Sequence, residues 1–215
     1  MRLTAEHLSA RRGEDLIFSN ISFDLEAGQS LVLTGRNGSG KSTLLRVIAG
    51  LIRPASGRLS WHDDTMPESL PPAEVSHYLG HRNAMKPELT VAENLAFWRD
   101  FLGSRPGGQP LSIADAAEAV ELSAILHLPF GYLSAGQQRR MAFAKLLVAH
   151  RPIWILDEPT AALDVAAEAL FSRLIRNHLE QGGLILAATH QPLDFEANHR
   201  LEMKGFAFAG MEGEA

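Results

Sequence analysis

Eight consecutive residues, Gly35-Arg36-Asn37-Gly38-Ser39-Gly40-Lys41-Ser42, constrain this chain more than any other feature. They match G-x-x-x-x-G-K-[ST] without a gap. The glycines let the backbone turn tightly, so that successive N–H groups face phosphate oxygens. Residues 30–34 form a short apolar run before the loop. Residues 42–51 follow it with Leu44, Leu45, Val47, Ile48 and Leu51 at helical spacing. Strand, loop and helix in that order make a phosphate-binding unit, and the helix adds its positive dipole end. Lys41 suits the β- and γ-phosphates, and the Ser42 hydroxyl suits Mg²⁺. A chance glycine loop leaves the flanking strand and helix unexplained.

The rest of the chain reads around this unit. Residues 3–9 and 15–25 alternate apolar and polar positions about Arg12-Gly13-Glu14 and predict two antiparallel strands. Residues 58–61 predict another strand of that sheet. Residues 62–74 are polar, carry Pro67, Pro71 and Pro72, and predict a surface loop. Thr90 caps a predicted helix through Val91, Leu95 and Trp98, and residues 113–126 predict a second. Then come a helix (134–149), a strand (153–156), a helix (166–181) and a strand (184–189). Alternating helices and continuously apolar strands imply a parallel sheet covered on both faces. The last five residues, 211–215, are expected to fray.

Composition narrows the setting. The formal net charge of −5 argues against a nucleic-acid surface and against holding an anionic membrane by charge alone. The chain has no cysteine, which excludes disulfides, thiolate metal sites and a cysteine nucleophile. Residues 1–10 lack the apolar block of a secretory signal, and no apolar run nears the ~20 residues that span a bilayer. The expectation is a cytoplasmic protein that something else holds at any membrane it serves.

Three further segments carry chemistry. Ile153-Trp154-Ile155-Leu156-Asp157-Glu158 is an apolar strand ending in two acids, a costly place for carboxylates without a cation or a reaction. Asp157 suits Mg²⁺, directly or through a ligand of the ion, and Glu158 suits a general base for an attacking water. The bland alternative is a pair of solvated acids at a surface strand end. His190 follows the strand 184–189, on the sheet edge that holds the phosphate loop, where it can bond a γ-phosphate or the water. A lone histidine is more often structural. Leu133-Ser134-Ala135-Gly136-Gln137-Gln138-Arg139 opens a helix with Ser134 as a natural N-cap. The other histidines, His7, His62, His77, His127, His150, His178 and His199, read as surface or structural, and no haem-attachment Cys-x-x-Cys-His exists. His77 and His81 are four apart, but the residues between them read as strand. Phe97, Trp98 and Phe101 are either the core of the helical region or, where exposed, a partner contact.

On these residues the chain resembles the nucleotide-binding subunit of ABC transporters over almost its whole length. Gly35–Ser42 matches Walker A, 153–157 Walker B, and Glu158 the catalytic glutamate of that family. Leu133-Ser134-Ala135-Gly136-Gln137 matches its LSGGQ signature, Ala162-Leu163-Asp164 its D-loop, and His190 its switch histidine. The resemblance implies an α/β fold: a P-loop NTPase with a RecA-like parallel sheet, an N-terminal antiparallel β-subdomain and a small helical ABC insert. It implies one ATPase domain over 1–215, with the β-subdomain and P-loop core at 1–87, the insert at 88–132 and the second half of the core at 133–210.

It also implies roles. Glu158, His190 and Lys41 are catalytic. Gly35, Arg36, Asn37, Gly38, Ser39, Gly40, Lys41, Ser42 and Thr43 bind ATP, as do Arg12, Ser134, Ala135, Gly136, Gln137 and Asp164. Ser42, Asp157 and His81 hold Mg²⁺. Two copies pack head to tail around two ATP molecules, each γ-phosphate lying between Lys41 of one copy and residues 134–136 of the other. Integral membrane subunits use the resulting motion, and a helix of theirs docks on the insert.

The chain departs from the family pattern at three places. Ala135 replaces a signature glycine, His81 stands at the Q-loop glutamine, and Arg12 stands where an aromatic stacks on adenine. An arginine plane can stack on a base. Tyr78-Leu79-Gly80-His81-Arg82-Asn83-Ala84-Met85-Lys86 and Leu133-Ser134-Ala135-Gly136-Gln137-Gln138-Arg139-Arg140 resemble the haem-exporter ATPases of cytochrome c biogenesis. That group serves c-type cytochrome maturation from the cytoplasmic face of the bacterial inner membrane, as a peripheral subunit. The rivals are an ATPase of another exporter (lipoprotein, lipid or small solute), a soluble ABC ATPase of translation or DNA repair, and a module that only grips ATP.

Overall fold

The computed structural model describes residues 1–64, 70–103, 108–160, 163–189 and 196–205. His190, Ala162, Pro67 and the tail 211–215, on which expectations fell, lie outside the described residues.

Strands β1 (Arg2–Arg12) and β2 (Asp15–Glu26) form an antiparallel hairpin, as their alternation predicts. The buried parity changes along β1, from Leu3 and Ala5 to Leu8 and Ala10, because His7 adopts a left-handed φ of 49° and the register slips there. Such a bulge moves the next residues to the opposite face. After β3 (Ser30–Thr34) and helix α1 (Lys41–Ile48), strand β4 (Ser56–His62) joins the far side of β1, giving the order β2-β1-β4.

The second sheet takes β3 with β5 (Ser76–Leu79), β6 (Ile153–Asp157), β7 (Leu184–Ala188) and β8 (His199–Glu202), in the order β5-β6-β7-β3-β8, all parallel. Every residue of β6 and β7 is buried. Their alternate positions enter different cores, as the two-residue period of a strand requires. Ile153, Ile155, Leu184 and Leu186 pack with Leu44, Leu45 and Ile48 of α1. Trp154, Leu156, Ile185 and Ala187 pack on the other face with the remaining helices.

Those helices are α2 (Val91–Leu102), α3 (Ile113–Ala119), α4 (Ala135–Leu147) and α5 (Val165–Glu180). Two begin with reciprocal caps. The Glu93 N–H donates to Thr90 Oγ1 at 3.1 Å while the Thr90 N–H donates to Glu93 Oε2 at 2.8 Å. Ser134 and Gln137 do the same at the start of α4. Phe143 of α4 stacks on Phe171 of α5 at 4.0 Å between centroids, which ties α4 to the sheet-covering layer.

The structure corrects two expectations and adds a strand. The second helix of the 88–127 region ends at Ala119, seven residues before the predicted end. Glu121 takes a left-handed φ of 59°, the Leu122 N–H donates to the Ala117 carbonyl at 2.8 Å, and Leu122 is buried. This is a helix stop of the kind glycine usually makes, set here by a glutamate and paid for by burying Leu122. The polar stretch 62–74 is not all surface loop: Pro72–Val75 is a 3₁₀ turn with Pro72 and Val75 buried. Strand β8 was not predicted, because His-Arg-Leu-Glu is mostly exposed and has no periodic signal.

Two histidines are part of the core. His178 stacks on Trp154 at 4.0 Å, and its Nε2 lies 3.1 Å from the Pro152 carbonyl. His77 lies with Nε2 at 2.6 Å from the Ala149 carbonyl. Burial pushes His77 down from 6.5 to about 3 and His178 to about 4, against their carbonyl bonds. A depressed folded value means that the unfolded chain binds the protons first. The stability these neutral rings contribute is therefore complete above pH 6.5 and is lost as pH falls toward the folded values. Each contributes a slope approaching ~1.4 kcal/mol per pH unit in that window. Urea midpoints at about pH 7 and about pH 5 should show a large drop, smaller for His178→Phe, which keeps the stack without the titration. Equal drops in the two proteins would remove His178 from the account.

Candidate functional site

The loop between β3 and α1 is shaped by two glycines. Gly35 has φ 130°, and a Cβ there would lie 2.3 Å from the Met203 carbonyl, just past β8. Gly40 has φ 100° and supplies the left-handed entry to α1, with Ile17 close against it. The loop therefore closes over itself, and Lys41 is buried within it. The Lys41 ammonium donates to the carbonyls of Gly35 at 2.7 Å and Arg36 at 3.0 Å. The buried Ser39 hydroxyl of the same loop has no hydrogen-bond partner among the described residues.

Beside this loop the parallel sheet delivers β6. Asp157 is fully buried at its end, with Oδ1 accepting from Ser42 Oγ at 2.8 Å and Oδ2 accepting from the Tyr78 hydroxyl at 3.0 Å. Arg46 Nε reaches the Tyr78 oxygen at 3.4 Å. Burial holds the Tyr78 phenol above its ordinary value, so it stays a donor to Asp157. Glu158 follows with a left-handed φ of 50°, its N–H donating to the Ala188 carbonyl of β7 at 2.9 Å. A non-glycine residue there carries strain of ~1–3 kcal/mol, which the surroundings must hold in place.

These groups surround one cavity of about 640 Å³. Of the residues singled out from the sequence, Asn37, Gly38, Gly40, Lys41, Ser42, Thr43, Arg12, His81 and Glu158 line it. Asp157 lies behind Ser42, and Gly35, Arg36 and Ser39 complete the loop. Arg11, Ile17, Arg46 and Ile52 line it too, without having been expected. Ser134, Ala135, Gly136, Gln137 and Asp164 do not line this cavity. Asp164 caps α5, accepting from the Ala167 N–H at 2.7 Å. His190 lies outside the described residues.

Two residues that brace the site, Tyr78 and Arg139, have no role in the motifs. Tyr78 has no motif of its own; its partner Asp157 is 79 residues away. Arg139 did carry a signal, since it lies three, four and seven residues before the buried Ala142, Phe143 and Leu146 on one helix face.

The cavity offers fixed N–H groups, a buried ammonium, oxygen donors and one carboxylate at its wall. That set suits a polyphosphate with a hard divalent cation, because Ser42 and Asp157 present the oxygen ligands Mg²⁺ takes. The lining also includes the aliphatic Ile17 and Ile52 and the guanidinium-bearing Arg11 and Arg12, side chains that suit the flat face of a base.

Comparison with known proteins agrees with this chemistry. The family profile described as ABC transporter matches residues 18–161. The cytochrome c biogenesis ATP-binding export protein CcmA of Rhizobium johnstonii is 69% identical over 207 residues, covering 96% of each chain. The protein of that name from Agrobacterium fabrum is 64% identical, covering 96% of this chain and 97% of its own. That from Brucella abortus is 55% identical over 196 residues, covering 91% and 88%. Among solved structures, the fold matches a Pyrococcus furiosus ATP-binding protein assigned to the ABC transporters, with TM-score 0.79, 22% identity and 94% and 98% coverage. It also matches the ATP-binding subunit of an ABC transporter, with TM-score 0.74, 24% identity and 88% and 80% coverage.

Proposed function

This chain belongs to the ABC transporter family of ATP-binding proteins, and from that premise we propose that its ATP hydrolysis drives haem export for c-type cytochrome maturation. It is the ATP-hydrolysing subunit of a transport system. The observation that carries the chemistry is the meeting of Lys41, Ser42 and Glu158 at one cavity, with Asp157 bonded behind Ser42. Kinship with the cytochrome c biogenesis export proteins carries the cargo.

The triphosphate lies along residues 35–43, whose N–H groups and the start of α1 meet its oxygens. Lys41 turns its ammonium from the loop carbonyls to the β- and γ-phosphates. Arg12, which lines the same cavity as Ile17 and Ile52, stacks along the base. Ser42, Asp157 and His81 would hold Mg²⁺, which would supply positive charge against the phosphates. The Glu158 carboxylate takes the proton of the attacking water, and His190 bonds the γ-phosphate or that water.

Ser134, Ala135, Gly136, Gln137 and Asp164 act on the ATP of a second copy packed head to tail. Their position away from their own chain's cavity supports this. So do the neighbouring apolar side chains of Tyr132 and Val165, 81% and 85% exposed. The Ser134 hydroxyl accepts the Gln137 N–H and keeps its own proton to donate.

Residues 88–132 serve as the helical insert of one ATPase domain and receive the membrane partner. Phe97 and Phe101 support that: they stack on each other at 5.7 Å and are 44% and 69% exposed. Trp98 is anchored instead, donating to the Ala84 carbonyl at 3.0 Å under the Lys145 ammonium. Among the described residues no helix is long and apolar enough to cross a membrane. The subunit works peripherally, at the cytoplasmic face of the inner membrane, through its integral partners.

The test is a haem stain for c-type cytochromes in cells whose only copy carries Glu158→Gln. Loss of mature cytochromes, with the variant still at the membrane, is expected. Normal cytochromes would sink the haem assignment and leave ATP-driven transport of another cargo.

A further inference from the structure

Arg139 lies in α4, 7% exposed, and does not line the nucleotide cavity. Its guanidinium nonetheless holds two loops that do. Nη1 donates to the Gly80 carbonyl at 2.9 Å and to Asn83 Oδ1 at 3.3 Å, in the loop after β5 that carries His81. Nε donates to the Pro159 carbonyl at 3.1 Å and Nη2 to the Glu158 carbonyl at 3.1 Å, in the loop after β6. A planar fork with donors in fixed directions can span two loops in this way, and a single ammonium centre cannot. Bonds from a charged donor are the stronger kind. The backbone of Glu158 is thereby held at both ends: its N–H by Ala188 and its carbonyl by Arg139. Between these holds sits the left-handed φ of 50°.

We infer that Arg139 is a positioning residue for hydrolysis, setting the Glu158 backbone and tying it to the loop of residues 80–83. Movement of that loop then reaches the base through one rigid side chain. This rests on the reading of Glu158 as the base.

The experiment compares wild type, Arg139→Lys, Glu158→Gln and the double variant in the complex with the membrane subunits. Steady-state hydrolysis and nucleotide binding are measured for each. Arg139→Lys keeps the charge and the stem. Its kcat should fall ~10- to 100-fold, as expected when a catalytic group is misplaced by about an ångström. KM and nucleotide affinity should stay within about threefold, and the lysine should cost nothing further in the Glu158→Gln background. Should the lysine variant fold poorly, Arg139→Gln, which buries no charge, is read in the same way. A merely structural arginine would lower the melting temperature and leave kcat of the folded protein intact. That outcome, or a fall in kcat matched by lost nucleotide affinity, overturns the inference. If Glu158→Gln itself keeps wild-type hydrolysis, the base reading fails instead; if it is inactive while Arg139→Lys is unimpaired, only the positioning role fails.

Discussion

Glu158→Gln is expected to lower kcat by ~10²- to 10⁴-fold, the contribution typical of a positioned general base. The substitution keeps the size and shape of the side chain and removes only its basicity. The backbone should stay in place, because its holds on Ala188 and Arg139 do not involve the carboxylate. The neighbouring acid offers no substitute. Asp157 is fully buried and commits one oxygen to Ser42 and the other to Tyr78. Nucleotide should still bind, since the phosphate loop is untouched, so the loss should appear in kcat with KM little changed. Steady-state hydrolysis beside equilibrium ATP binding separates the two. Near-normal turnover would transfer the base role to another group, with His190 the first to test.

Lys41→Ala should act differently, lowering kcat/KM by ~10²- to 10³-fold, as removal of one preorganised donor to transition-state charge does. The lysine is buried inside the loop it serves, and its ammonium already bonds the Gly35 and Arg36 carbonyls. Alanine would remove the phosphate contact proposed for Lys41 and leave those carbonyls without that donor. Both ground-state binding and turnover should suffer, so ADP affinity should fall along with kcat. Calorimetric titration with ADP checks the first part. Unchanged affinity would mean that the loop N–H groups alone hold the phosphates and that Lys41 serves only the reaction.

Much of this was legible before the structure, and the reason is locality. The phosphate loop is a run of eight residues between its own strand and helix, so its chemistry lies in adjacent letters. The two capped helix starts, at Thr90 and Ser134, follow the same logic, since cap and partner are three residues apart. The buried strands β6 and β7 announced themselves by continuous apolarity. Where the reading failed locally, an unusual residue made a common geometry. Glu121 stops α3 in a conformation that glycine normally supplies, and burial of Leu122 overrides the helical pattern.

Adjacent letters of the chain spell out the parts: a glycine-rich loop before a helix, two acids at a strand end, and a parallel sheet to carry them. Only the tertiary structure decided how they are held. Asp157 depends on Tyr78 from a different strand, and the sheet gains β8 from four mostly exposed residues that only β3 selects. Of the adjacent Arg139 and Arg140, the first turns inward to bind two loops and the second pairs with Glu121 at the surface. The physical reason is the same in each case. Groups 19 residues apart, as Arg139 and Glu158 are, or 79, as Tyr78 and Asp157 are, or most of the chain apart, as β3 and β8 are, depend on chain folding to bring them within reach, and neighbouring letters carry no record of that distance.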